Sequence, residues 1–460
     1  MKKQSLLRER MTPPWRLAGL SQKETVLLGL SGGADSRALL HLLSEQARRD
    51  GFSVLTAHVN HGIRGAEADR DANFCKALAA SYGWEYLELQ ADVPKTAKAN
   101  GRSLELEARE VRYGFFRQIM QERGIRILVT AHHADDNLET VLFRICRGTG
   151  LHGLVGIAPS RPFENGVLVR PLLPFPKREI LEFCRVEGLE FVADSTNGQA
   201  DCSRNQIRLE VIPPLEARFP SVQSNVYRMT GNLADDQDFL DQQANAFLKS
   251  SLNEGSVSAA ALKEAHPAIR RRVIGKLFPK TAESVHLDAV EKLLEQAASG
   301  SSVSLPDDLC ACLQNGRLFA LPDLRRATGY QSFPCTVGDT ELCDGRLAIS
   351  VRTYEKNDTA RDGYQCACVL KKEMQEFGLY FRPRQEGDTV LRNGVNRQLR
   401  RLYREAGVPT AIRDALPLLC AGNVILWAPF VGYADGVLIG NGEEDDLLIE
   451  VRPVIKKKGC

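Results

Sequence analysis

Thr25-Val-Leu-Leu-Gly-Leu-Ser-Gly-Gly-Ala-Asp-Ser36 decides how this chain is read. Thr25 to Leu30 is a short apolar run bounded by polar residues, the pattern of a buried strand. Ser31 to Ser36 then leads straight into an amphipathic stretch, Arg37 to Arg49, so the loop stands at a strand's carboxyl end and a helix's N-terminus. Such a position collects anions, because the first-turn amides have no partner inside the helix and the helix dipole is positive there. Gly32 and Gly33 let the backbone come close to a ligand, and the Ser31 and Ser36 hydroxyls can donate to it. Ser31, Gly32, Gly33, Ala34, Asp35 and Ser36 are therefore the expected phosphate-binding residues. The longer glycine-rich loop that ends in a lysine and a hydroxyl residue is excluded, since this loop is shorter and carries no lysine. A plain helix-capping turn has similar composition, but Asp35 argues against it. A carboxylate inside a phosphate nest repels its ligand unless a divalent cation lies between them, which makes Asp35 the expected Mg²⁺ contact.

Around this loop, short apolar runs alternate with longer amphipathic ones from Glu24 to about Leu215, as in βαβ units with a parallel sheet. Ser53 to His58 and Ile125 to Thr130 read as further buried strands. Arg37 to Arg49, Asp69 to Tyr82 and Leu104 to Arg123 read as helices, the last with Leu104, Ala108, Val111 and Phe115 on one face. Pro159 to Pro176 is rich in proline and reads as a surface excursion before a helix over Lys177 to Glu187. From Pro220 to Leu321 helical segments dominate, including Asn225 to Ser250 and His286 to Ala298. Short β-rich runs return from Gln331 around a basic helix, Arg397 to Ala406. The expected architecture is thus an α/β, Rossmann-like parallel-sheet domain over 1–215, a helical middle domain over 216–325 and a small α+β domain over 331–460.

Two more constellations carry chemistry. After the strand Ile125 to Thr130 comes Ala131-His-His-Ala-Asp-Asp-Asn-Leu-Glu-Thr140. A helix starting near Asp135 puts Asp136 and Glu139 three apart on one face, able to bind a metal or an ammonium together. A solvated acidic first turn is the simpler alternative, but open parallel sheets place their ligands at this end of the strands. In Ser103 to Tyr113, Glu105, Arg109 and Arg112 share a helical face, so the arginines can clamp phosphate or merely lace an exposed helix with ion pairs.

Composition bounds the rest. Of 460 residues, 43% are hydrophobic and 26% charged, the proportions of folded globular units and not of a disordered chain. A formal net charge of +2 means that nucleic-acid binding has to come from local basic patches. The basic start of the chain is followed by no apolar secretory core, and Val424 to Val437 is interrupted by Pro429 and Asp435, so the expectation is a cytoplasmic protein without a membrane span. The 12 cysteines include Cys310-Ala-Cys312 and Cys366-Ala-Cys368 but no CxxC, which reads as reduced thiols on strands or loops.

Ser31 to Ser36 resembles the motif of PP-loop ATP pyrophosphatases, which split ATP between the α and β phosphates. Together with Ala57-His-Val-Asn-His-Gly-Ile-Arg-Gly65, Ser103 to Tyr113, Thr130 to Thr140, Arg147-Gly-Thr-Gly150, Arg170-Pro-Leu-Leu173, Asp194-Ser-Thr-Asn197 and Arg204-Asn-Gln-Ile-Arg208, it resembles the tRNA(Ile)-lysidine synthetase family over nearly all of the first 215 residues. Phe381 to Asp388 and Arg413 to Leu419 look like that family's last domain. Ala68 stands where the family pattern has a serine, while Asp71 matches the acidic position after it. The resemblance implies ATP and Mg²⁺, free L-lysine, and an isoleucine tRNA with a CAU anticodon as partner; it leaves a homodimer open. It implies attack of the wobble cytidine's C2 oxygen on the α-phosphate, then displacement of AMP by the lysine ε-amine, which changes the codon read from AUG to AUA. Asp35, Arg112, His133, Asp136, Glu139 and Arg204 are the residues it makes catalytic. The tRNA grip is expected to be shared by Arg382, Arg384, Arg392, Arg397, Arg400, Arg401 and Arg404, opposed only by Glu386 and Asp388. A PP-loop tRNA thiolase is the rival enzyme, and the missing CxxC speaks against it; a catalytically inactive RNA-binding protein is the rival from another class.

Overall fold

The computed structural model describes residues 6–20, 24–192, 203–253, 255–278, 284–296, 299–354, 366–440 and 445–455. Asp194 to Asn197 lies outside them. The chain divides into two compact units, 1–237 and 238–460.

The first unit is built on a six-stranded sheet. Its strands are β1 (Val26–Gly29), β2 (Val54–Asn60), β3 (Glu85–Gln90), β4 (Ile127–Val129), β5 (Ser160–Phe163) and β6 (Gly166–Val169), in the order β3-β2-β1-β4-β6-β5. All neighbours are parallel except β5, which returns antiparallel on β6. The connecting helices are α1 (Ala34–Asp50), α2 (Ala66–Tyr82), α3 (Leu104–Arg123), α4 (Ala134–Cys146) and α5 (Lys177–Val186). β1 is buried on both faces: Val26, Leu28 and Leu30 face one core with Leu39, Leu40 and Leu43 of α1, and Leu27 faces another with Phe116 and Ile119 of α3. Each leucine so buried contributes roughly 1.5–3 kcal/mol of transfer free energy.

Two sequence expectations are corrected. The Pro159 to Pro176 stretch is no surface excursion: it forms the β5-β6 hairpin at the sheet's edge and buries Leu168, Val169, Leu172, Leu173 and Phe175. Pro162 is tolerated because it sits in the outermost strand, where no further neighbour needs its missing N–H. In α3 the stripe Leu104, Ala108, Val111 and Phe115 is not the buried face. Tyr113, Phe116, Ile119 and Met120 fill the core, while Leu104 is exposed and Ala108, Val111 and Phe115 are half-buried.

A 30-residue helix, α6 (Val222–Ser251), begins in the first unit and runs into the second. The second unit contains the helix expected over His286 to Ala298, observed as Ser284–Gln296, and adds a helix that was not expected, Pro267–Leu277, and a five-stranded antiparallel sheet over Leu252–Asn253, Ser256–Ser258, Arg317–Pro322, Leu309–Gln314 and Ser301–Leu305. Beyond it lie two further antiparallel sheets, of five and four strands, a two-stranded ribbon and the helix Leu399–Glu405, an α+β arrangement around Phe381, Tyr403 and Trp427. Cys310 and Cys312 lie two apart on one strand, fully buried with their sulfurs 3.4 Å apart, and Cys366 and Cys368 lie on another; all four are free thiols. Among the described residues no helix is long and apolar enough to cross a membrane.

Candidate active site

The loop after β1 is set by three local demands. Gly32 has φ +82°, and a Cβ there would stand 3.1 Å from Cys75 Sγ, so glycine is required. Gly33 is extended at φ −71° and meets no protein atom that would exclude a side chain; its bare face opens instead onto a cavity. Ser36 Oγ accepts from the Ser31 amide at 3.2 Å, donates to Gly33 O at 3.1 Å and lies 3.0 Å from Ser31 Oγ, which closes the turn. The first-turn amides of α1 are left without intrahelical partners.

That cavity, about 420 Å³, sits at the carboxyl ends of β1, β2 and β4. Ser31, Gly33, Asp35 and Ser36 form one wall, whereas Gly32 and Ala34 are not among the residues that line the cavity. His58 comes from β2, His61 and Arg64 from the segment after it, Asp71 from α2, Arg112 and Phe116 from α3, and His132 and Asp136 from the turn into α4. Burial pushes the Arg112 guanidinium below its usual pKa, yet an arginine stays charged, so a cation faces the loop across the cavity. Arg112 and Arg109 lie over the Tyr113 ring at 5.7 and 4.9 Å. Burial also lowers His61 to about 4, with Arg112 adding to the effect, and His132 to about 4; both are neutral near pH 7. Asp71 is held by Arg64 at 3.0 Å and Arg70 at 3.1 Å. Ala68 is buried one turn before it.

Around His133 the charges crowd. Its Nε2 is 3.5 Å from Asp136 and 3.7 Å from Asp35, and its Nδ1 is 3.5 Å from Asp135. Burial opposes its charged form, but Asp135, Asp136 and Asp35 outweigh burial and raise its pKa above the usual imidazole value. The His133 amide donates to Asp136 Oδ2 at 2.9 Å, which caps α4. Lys177 Nζ donates to both oxygens of Asp35 at 2.6 Å, and the Lys177 amide donates to Asp135 Oδ2 at 2.7 Å. Gln223 of α6 donates to Asp135 Oδ1 at 3.3 Å.

Of the expected catalytic residues, Asp35, Arg112 and Asp136 line the cavity. His133, 3.5 Å from Asp136, and Glu139 are not among the lining residues, and Arg208 donates to Glu139 at 2.7 and 3.0 Å. Arg204 belongs to the helical turn Ser203–Gln206, and its side chain lies outside the described residues. Lys177 and Asp135 escaped the sequence reading; the one local sign of Lys177 was a cation in the first turn of a helix, where the dipole disfavours it. Among the described residues no three carboxylate, imidazole or thiol groups converge as a metal cage. Magnesium fits here in its open mode, with one or two carboxylates, water and substrate phosphates as ligands.

In the second unit the basic stretch is partly neutralised. Arg382 is paired with Asp388, Arg384 with Asp414, and Arg397 and Arg401 with Glu405, while Arg392 donates to the carbonyls of Val431 and Tyr433. Glu386 and Asp388 are therefore not the only opposing acids. Arg400 and Arg404 remain exposed, with no carboxylate partner among the described residues.

Comparison with known proteins agrees in both units. Residues 4–215 match the PP-loop domain model and residues 379–447 the TilS substrate C-terminal domain model. A tRNA(Ile)-lysidine synthase of Bacillus thuringiensis subsp. konkukian is 29% identical over 439 residues, covering 90% of this chain and 89% of that protein. The protein of the same name from Clostridium tetani is 27% identical over 441 residues, covering 90% and 91%. A solved U34-tRNA thiolase from Methanococcus maripaludis superposes with a TM-score of 0.42 at 20% identity, over 51% of this chain and 78% of that one. With both models matched in order and such relatives aligned along nine tenths of its length, the chain belongs to the tRNA(Ile)-lysidine synthase family, ATP-dependent ligases built on a PP-loop domain.

Proposed function

We propose that the chain ligates L-lysine to C2 of the wobble cytidine of an isoleucine tRNA with a CAU anticodon, through an adenylated cytidine, releasing diphosphate and AMP. The observation that carries this reading is the single cavity in which the Ser31–Ser36 loop, Arg112 and Asp136 meet at the strand ends. In the first step the α1 amides, with Ser31 and Ser36, hold the phosphate chain, and Arg112 opposes the charge that grows as the C2 oxygen attacks the α-phosphorus. Asp35, with Asp136 beside it, would hold magnesium, which neutralises phosphate charge when bound. The target base has to leave its stack to enter a cavity of this size.

The second step needs a neutral amine, whereas a free lysine side chain near pH 7 is almost wholly ammonium, its pKa being about 10.4. Asp136 is the carboxylate on the wall that meets the ammonium, and Glu139 completes the site when it exchanges Arg208 for the substrate. His133 is the proton acceptor that the surroundings favour over His132: its raised pKa makes it the stronger base, and His132 is held neutral by burial. Arg204 is assigned to phosphate contact by its place in the family motif. We assign 1–215 to catalysis, 216–325 to a linking domain and 331–460 to tRNA binding, in which Arg400 and Arg404 are free to meet the RNA backbone.

Single-turnover incubation with radiolabelled lysine, ATP and the tRNA transcript tests the reading. Label in the tRNA that depends on ATP and on the CAU anticodon is the expected result; sulfur transfer or RNA binding without label would replace it by one of the rival readings.

A further inference from the structure

The phosphate loop contains no lysine, and Arg37, the cation that follows it in sequence, is turned away to the Tyr82 hydroxyl at 2.8 Å and the Glu190 carbonyl at 3.2 Å. Arg112 faces the loop only from the far wall. A triphosphate laid on this loop would also meet the Asp35 carboxylate in the first turn of α1. Lys177 answers both problems from 142 residues away, its ammonium 2.6 Å from both Asp35 oxygens.

The placing of Lys177 is specific. It is the first residue of α5, where the helix dipole is unfavourable to a cation, so helix stability does not explain it. Its backbone is fixed by the hydrogen bond that its N–H donates to the Asp135 carboxylate, to which Gln223 of α6 also donates. Its side chain, by contrast, is one-third exposed. A rooted backbone with a free four-carbon stem describes a residue that can exchange one anion for another without moving the helix. The ammonium does not line the cavity itself; it reaches the wall through Asp35.

We infer that Lys177 is a phosphate-contacting residue of the ATP site, parked on Asp35 until nucleotide arrives and then transferred to the phosphate chain. It takes the part of the lysine that the loop lacks, supplied from another helix. The inference rests on the reading of the loop as an ATP site. Lys177 moves no proton and forms no bond; it contributes positive charge beside the diphosphate that leaves.

A double-mutant cycle on the full chain separates this role from plain neutralisation of Asp35. Binding of a non-cleavable α,β-methylene ATP and of inorganic diphosphate is measured by calorimetry with a chelator and no magnesium, for the wild type, Asp35→Asn, Lys177→Met and the double variant. Loss of a phosphate contact weakens binding tenfold or more on adding Lys177→Met to Asp35→Asn, for both probes. Equal affinities of Asp35→Asn and the double variant would overturn the inference, since Lys177 would then act only on Asp35. Thermal melting checks each variant, and Lys177→Gln replaces Lys177→Met where the latter does not fold. Wild-type binding together with lysidine formation isolates a failure of this inference from a failure of the proposed function, which would show in the wild type.

Discussion

Replacing Gly29 by alanine puts a methyl carbon 2.8 Å from Phe116 Cζ and 3.3 Å from its Cε2. Unstrained carbon contacts stand about 3.5–4.0 Å apart, so the ring has to retreat by about 1 Å. It has little room to do so, being 2% exposed and embedded with Leu27, Leu55, Tyr113 and Ile119. Overpacking of this kind costs about 1–3 kcal/mol. For a unit of this size, at roughly 2–4 °C per kcal/mol, Gly29→Ala should lower the melting transition of the first unit by about 2–12 °C. Both residues line the cavity, so affinity for ATP should fall as well. Phe116→Leu removes the colliding ring edge, and the double variant should melt higher than the sum of the single effects, with a coupling of about 0.5–3 kcal/mol. Calorimetry on the four proteins is the assay. An unchanged melting temperature for Gly29→Ala, or strict additivity in the cycle, would refute the contact on which the reasoning stands.

Three further outcomes are expected. His61 is held neutral, its pKa lowered to about 4 by burial and Arg112, while in the unfolded chain it protonates near 6.5; between these values the unfolded state binds more protons, so stability is lost as pH falls through that window. Urea titrations at pH 7 and pH 5 should show a smaller loss for His61→Gln than for the wild type, and an identical loss would remove His61 from the account. Asp135→Ala deletes an acceptor of the Lys177 amide and of Gln223, which should destabilise the first unit by about 1–3 kcal/mol in urea and weaken nucleotide binding; unchanged stability would contradict its place at the junction of α4, α5 and α6. Reversing Arg400 and Arg404 to glutamate should weaken tRNA binding and flatten its log-log salt dependence by about 2, near 0.9 per lost phosphate contact, and a wild-type slope would place the RNA elsewhere.

The loop-bearing part of the fold was legible because its signals are local. The runs at Thr25, Ser53 and Ile125 and the helices after them were read to within a few residues, since buried strands of a parallel sheet are apolar throughout and their helices are periodic. β3 carried no such signal: Glu85–Gln90 alternates charged and apolar residues as an edge strand does. The β5-β6 hairpin was hidden by its prolines, and the strands of the second unit's first sheet, two to six residues long, are too short to show periodicity. Of the residues lining the cavity, the Ser31–Ser36 loop and Asp136 stood out because each follows directly on a strand, and Arg112 because it lies in the Ser103 to Tyr113 segment that carries the family resemblance. The Lys177–Asp35 and Asp135–Gln223 contacts join residues 142 and 88 apart, and no local pattern encodes such a pair. The basic stretch from Arg382 to Arg404 was overestimated as a patch because Asp414, the partner of Arg384, lies 30 residues away, and because Glu405, an i,i+4 partner of Arg401 open to local reading, was not counted.

Asp35, in the loop after β1, is the carboxylate we propose to govern the phosphates of ATP. Diphosphate release from ATP in the presence of the isoleucine tRNA transcript, compared between the wild type and Asp35→Asn at saturating magnesium, measures that claim most directly. A fall in rate of about 10²- to 10³-fold, with the fold intact by thermal melting, is predicted for loss of a group that organises the transition-state charge. Release within twofold of the wild type would contradict it.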